Sequence, residues 1–115
     1  MITVKRVQGS QTERPIMVLL DLLSRRWTLR LIWELRGGPL TFRALRAAAG
    51  DLSPSVLQTR LNELREVGFV ATSSAGYQLT ALGVELLSTF LPLHDFAERW
   101  ADRPAETGDL PSRHE

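Results

Sequence analysis

Between residues 55 and 62 the chain carries Ser55, Gln58, Thr59 and Asn62, four hydrogen-bonding side chains at i, i+3, i+4 and i+7. On a helix this spacing places all four on one face. Base-pair edges in the DNA major groove present donors, acceptors and thymine methyls, so a helix face of amides and hydroxyls can read sequence there. Gln58 and Asn62 each have the chemistry to pair with adenine through two hydrogen bonds. The competing reading is a polar face that is simply solvated, and the elements around it have to decide between the two.

The opposite side of this helix carries Leu57, Leu61 and Leu64, flanked by Val56 and Arg60. Ser53 fits an N-cap, Pro54 the first helical position, and Leu52 can staple onto Leu57, while Gly68 closes the helix as a C-cap. The same grammar occurs just upstream. Thr41 fits an N-cap and Leu40 can staple onto Leu45, opening a short helix FRALRAAA that ends at Gly50. Two capped helices joined by the tight turn Gly50-Asp51-Leu52 are the sequence form of a helix-turn-helix. Phe69 to Ser73 and Tyr77 to Thr80, around Ser74-Ala75-Gly76, then read as a hairpin, which in this position is a wing. The double caps and the hairpin favour a reading helix over a solvated one.

The flanking segments frame this motif. Pro15 opens a short apolar helix from Ile16 to Ser24, and a second helix from about Trp27 to Arg36 puts Thr28, Leu31, Ile32 and Leu35 on one face. Leu29 and Trp33 widen that face, and Gly37-Gly38-Pro39 stops the helix. Thr80 can cap a last long helix on which Leu82, Leu86, Thr89, Leu93, Phe96 and Trp100 follow the seam spacing of a packed helix pair. Val84, Leu87 and Leu91 form a second apolar strip, and a single small core covers only one strip, so a partner chain is the economical second cover. Pro92 is expected to kink this helix or split it in two. Residues 1–14 read as an N-terminal arm, 15–102 as one domain and 103–115 as a frayed tail.

Charge locates the partner. The total of 14 basic and 13 acidic residues conceals an asymmetry: residues 1–80 hold 11 basic and 6 acidic side chains, whereas residues 81–115 hold 3 and 7. The body is therefore basic and the end acidic, so a polyanion suits the body only. Arg43 and Arg46 project from the first motif helix, and Thr41 and Ser53 mark helix N-termini whose free N–H groups favour phosphate oxygens. Arg60 borders the apolar stripe and is either a phosphate contact or a structural residue paired with Glu34 or Glu63.

Several classes of function are excluded or disfavoured. A chain of 115 residues holds about one domain, too little for an enzyme with its own cofactor domain. The absence of cysteine removes disulfides, thiolate metal sites and a thiol nucleophile, which suits a cytoplasmic protein. The longest aliphatic run, Ile16 to Leu20, falls far short of the roughly 20 apolar residues that span a bilayer. There is no GxSxG, HExxH or glycine-rich phosphate loop. His94 and Glu98 supply two metal ligands without a third, and Glu63 and Glu66 read as a solvated flank, so neither a metal, a cofactor nor an active site is expected.

The run LLSRRWTLRLIWELRGGPLTFRALRAAAGDLSPSVLQTRLNELREVGFV, followed by YQLTALG and an apolar helix ending in ERWA, resembles the HxlR-type winged helix-turn-helix transcriptional regulators of bacteria. The resemblance spans about residues 16–102. It implies a mainly α fold with a small β-hairpin, in which a winged helix-turn-helix is followed by a long C-terminal dimerisation helix. It further implies a homodimer on an inverted repeat of double-stranded DNA. The implied base readers are Ser55, Gln58, Thr59 and Asn62, with Ser53, Arg43 and Arg60 nearer the phosphates, and the implied dimer interface draws on Leu19, Leu23, Leu82, Leu86, Leu93, Phe96 and Trp100. Two features depart from the family. The wing segment SSAG is short and carries no lysine or arginine, and family members that sense oxidants use cysteines, which this chain lacks. A signal would have to be a non-thiol one, such as a small apolar molecule beside Trp27 and Trp33, against the simpler reading of these rings as core aromatics. The reading from another functional class is a winged-helix module that pairs with protein and does not read DNA.

Overall fold

A computed structural model describes residues 14–104 of the chain. The proposed arm lies almost wholly outside the described residues, as does most of the proposed tail. Helix α1 spans Pro15–Leu23, with Pro15 at its first position, and α2 spans Thr28–Glu34. The expected helix from Trp27 to Arg36 is shorter than its apolar pattern. Trp27 caps it from the left-handed region, at φ 79°, and its last turn tightens into a 3-10 turn over Leu35–Gly37 before Gly38 at φ 129°. The predicted inner face is correct: Thr28, Leu31, Ile32 and Leu35 are all buried.

Helices α3 (Phe42–Ala48) and α4 (Pro54–Glu66) form the helix-turn-helix. The Thr41 side chain accepts from the Ala44 N–H at 3.0 Å and the Ser53 side chain from the Val56 N–H at 3.3 Å, as N-caps should. Gly50 at φ 80° and Asp51 at φ 60° make the turn between them. Leu45, Leu57, Leu61 and Leu64 meet Leu31, Ile32 and Leu35 in one core, with Leu52 and Val70 at its edges. Each fully buried leucine contributes roughly 1.5–3 kcal/mol, so this cluster fixes the orientation of α4.

The wing is the antiparallel pair β1 (Val70–Ser73) and β2 (Gly76–Leu79). Ser73 pairs with Gly76, so the turn consists of Ser74 and Ala75 alone, and Gly76 belongs to the strand and not to the turn. The reason is a close backbone approach. Leu40 and Tyr77 exchange two hydrogen bonds of 2.9 and 2.8 Å, and a Cβ on Gly76 would lie 2.3 Å from the Leu40 carbonyl oxygen. The hairpin is thus sewn to the residue that enters α3.

Helix α5 runs from Ala81 to Asp102. Thr80 caps it by accepting from the Gly83 N–H at 3.0 Å and donates to the Gly68 carbonyl. Gly83 is buried against the Phe69 carbonyl, where a Cβ would approach to 2.2 Å. Pro92 does not split the helix. Pro92 and Ser88 are both exposed, so the Ser88 carbonyl that loses its N–H partner can turn to water. Leu86 and Leu87 pack on the core, but Leu82, Val84, Leu91, Leu93, Phe96 and Trp100 remain 38–58% exposed. On α1 the exposed apolar residues are Ile16, Met17 and Leu20. Leu23, like Leu86, packs against its own core, and Leu19 is half-buried.

Candidate nucleic-acid interface

The two sides of α4 separate cleanly. Leu57, Leu61 and Leu64 have no exposed surface, whereas Ser55, Gln58, Thr59 and Asn62 are all exposed on the other side. The fold therefore brings the four predicted readers together on one outward face of a helix held by its leucines. The Gln58 side-chain amide donates to Asn62 Oδ1 at 3.1 Å. These two amides form one unit, with the remaining Gln58 acceptor and the Asn62 amino group free to face a ligand. Ser53 Oγ and Ser55 Oγ lie 3.3 Å apart, so the cap and the start of the polar face are also linked.

The flanking residues divide. Thr41, Arg43 and Ser53 are exposed. Arg46 and Arg60 are turned inward. Arg46 Nε donates to the Leu52 carbonyl at 2.6 Å, clamping the turn between α3 and α4. Arg60 Nε donates to the Arg26 carbonyl at 2.8 Å, and its Nη1 reaches both oxygens of Glu63 at 3.1 and 3.3 Å. Of the two acids proposed as partners for Arg60, Glu63 is the one engaged. Glu34 instead pairs with Arg30 at 2.8 Å.

One exposed cation escaped the helix-face argument. Arg65, in the last turn of α4, lines an open concavity of about 580 Å³ with Asn62, Glu66, Val70, Ala71 and Thr72. It continues the spacing of the polar face, three residues after Asn62 and seven after Gln58, but its place beside the wing becomes visible only once the hairpin folds back. At the hairpin tip, Ser73 Oγ is used internally, accepting from the Ala75 N–H at 3.1 Å and donating to the Gly76 carbonyl at 3.4 Å.

The tryptophans are already in contact with the protein's own side chains. Trp33 stacks on His94 with ring centroids 4.7 Å apart, and the Arg36 guanidinium lies 4.1 Å from the Trp33 ring. Trp27 packs against the core beneath Arg26. Among the described residues, no group of three His, Asp or Glu side chains could hold a metal, and no helix is long and apolar enough to cross a membrane.

A helix-turn-helix, a hairpin stitched to its entry and an outward polar face on the second helix define a winged helix-turn-helix protein of the DNA-binding class. The HxlR-like helix-turn-helix family model matches residues 22–105, and the chain belongs to that family of transcriptional regulators. It is 32% identical over 89 residues to YvaP of Bacillus subtilis, described as an uncharacterised HTH-type transcriptional regulator, covering 71% of this chain and 82% of the relative. A possible HxlR family transcriptional factor from Thermoplasma volcanium shares the fold with a TM-score of 0.69 at 24% identity, over 79% of this chain and 88% of the other. The quinone-bound form of YodB from B. subtilis has a TM-score of 0.69 at 27% identity, over 73% of this chain and 96% of that one.

Proposed function

We propose that this regulator binds double-stranded DNA sequence-specifically as a homodimer on an inverted repeat, with α4 of each subunit in a major groove. The carrying observation is the exposed face of Ser55, Gln58, Thr59 and Asn62 opposite a wholly buried leucine face. Arg43, with the N-termini capped by Thr41 and Ser53, contacts phosphates, and Arg46 and Arg60 hold the frame. Residues 15–102 act as the DNA-binding and dimerising unit. The exposed Leu93, Phe96 and Trp100 of α5, with Leu82 and the apolar face of α1, supply the dimer surface. A two-fold dimer sets its half-sites about one helical turn apart, roughly 34–36 Å. On this reading the protein works in the cytoplasm as a regulator and not as an enzyme.

The quinone-bound relative supports a small-molecule effector for this chain too, and with no cysteine such an effector binds without a thiol bond. A second reading, a winged helix that pairs with protein in place of DNA, draws on the uncharged wing tip Ser73 to Gly76. Footprinting the purified protein on its own upstream region separates the two. Two protected half-sites, symmetry-related and about one turn apart, support the DNA reading, and uniform cleavage at saturating protein favours the protein module.

A further inference from the structure

Resting on the placement of α4 in the major groove, we infer that Arg65 supplies the wing-side phosphate contact that the hairpin itself cannot make. The strands that border a groove occupied by a helix present rows of phosphates, and basic side chains on the flanks of that helix are placed to meet them. Between Arg65 and Arg99 this chain has no lysine or arginine at all. The wing therefore offers only uncharged side chains, among them Thr72 and Gln78, and the Ser73 hydroxyl is already spent on its own turn.

Arg65 stands where the missing charge is needed. It is exposed, and its side chain makes no hydrogen bond or ion pair with the described residues. It faces an open concavity of about 580 Å³ whose other walls include Asn62, a proposed base reader, and Thr72 of the wing. A DNA strand crossing from Asn62 to Thr72 passes over Arg65. The commitments of the other arginines sharpen the assignment: Arg46 and Arg60 are tied to backbone carbonyls, which leaves Arg43 before the reading face and Arg65 after it as a bracketing pair. Glu66 lines the same concavity, and its negative charge steers a phosphate towards Arg65 and away from the end of the reading face.

The test is the salt dependence of binding for the full-length wild type, Arg65→Gln, Arg65→Lys and Glu66→Gln, on the upstream DNA and on an unrelated duplex. One phosphate contact per subunit is two per dimer, so Arg65→Gln should make the log–log salt slope shallower by about 1.8. Between 50 and 200 mM salt the variant should then lose about twelvefold less affinity than wild type. The change should be equal on both duplexes, because phosphates carry no sequence information. Arg65→Lys should restore the slope, and Glu66→Gln should tighten binding to both. A role confined to the helix dipole would alter the melting temperature and leave the slope unchanged. Wild-type binding with an unaltered Arg65→Gln slope, or a loss confined to the upstream DNA, overturns this inference alone. Wild-type protein without salt-dependent DNA binding overturns the DNA reading as well.

Discussion

Arg60, on α4, donates from Nε to the backbone carbonyl of Arg26, 2.8 Å away at the corner between the first two helices. Glu63 completes the joint by accepting from Arg60 and pairing with Arg25 at 3.2 Å. The corner is the place where Trp27 adopts its left-handed conformation, so the joint fixes a strained turn and the pitch of α4 together.

Breaking that joint should cost stability before it costs contacts to DNA. Arg60→Ala removes a charged hydrogen bond and leaves Glu63 with only the half-exposed Arg25, and should destabilise the fold by about 1–3 kcal/mol in urea unfolding. Its DNA affinity should fall with an unchanged salt slope, because Arg60 already spends its donors inside the protein. A shallower slope would instead make Arg60 a phosphate contact.

Two glycines are fixed by backbone contact. A methyl group on Gly83 meets the Phe69 carbonyl at 2.2 Å, and one on Gly76 meets the Leu40 carbonyl at 2.3 Å, with φ at 119° besides. Gly83→Ala should destabilise by roughly 1–3 kcal/mol as α5 is levered off the wing base. Gly76→Ala should open the Leu40–Tyr77 bridge, read as loss of hydrogen-exchange protection at those two amides while the α4 core amides stay protected. Retained protection at Leu40 and Tyr77 would contradict this account of the wing.

The exposed residues of α5 predict an assembly. Leu93→Glu and Phe96→Glu, at positions 58% and 52% exposed, should give monomers in sedimentation and leave the secondary structure by circular dichroism intact. Dimers that persist in both variants would move the interface elsewhere.

How much of this was legible in the sequence differs by kind of residue. Thr41, Ser53 and Thr80 form their expected caps, because a cap depends on neighbours three residues away. The leucine stripe of α4 was equally plain, since helical periodicity alone sets which side is buried. Glu63 is legible as a partner of Arg60 because it lies three residues on, whereas the backbone acceptors of Arg46 and Arg60, the carbonyls of Leu52 and Arg26, come within reach only after the chain turns back on itself. The sequence alone suggests Gly76 for the turn for the same reason: its partner Leu40 lies far back in the chain. Leu23 and Leu86 carry the spacing of an interface yet pack inward, since an apolar stripe does not say which of two surfaces covers it. Pro92 breaks only the local bonding pattern, and the exposed position of Ser88 decided the outcome.

A base-reading role for the outward face of α4 is open to direct measurement. The quantity to measure is the ratio of affinities for the protein's own upstream DNA and for a scrambled duplex, compared among wild type, Gln58→Ala and Asn62→Ala. Each substitution removes one base contact per subunit and so two per dimer, and should reduce that ratio by roughly 30- to 25,000-fold, corresponding to about 2–6 kcal/mol of lost discrimination, with binding to scrambled DNA and the oligomeric state unchanged. A ratio equal to wild type in both variants, with the dimer intact, would contradict it.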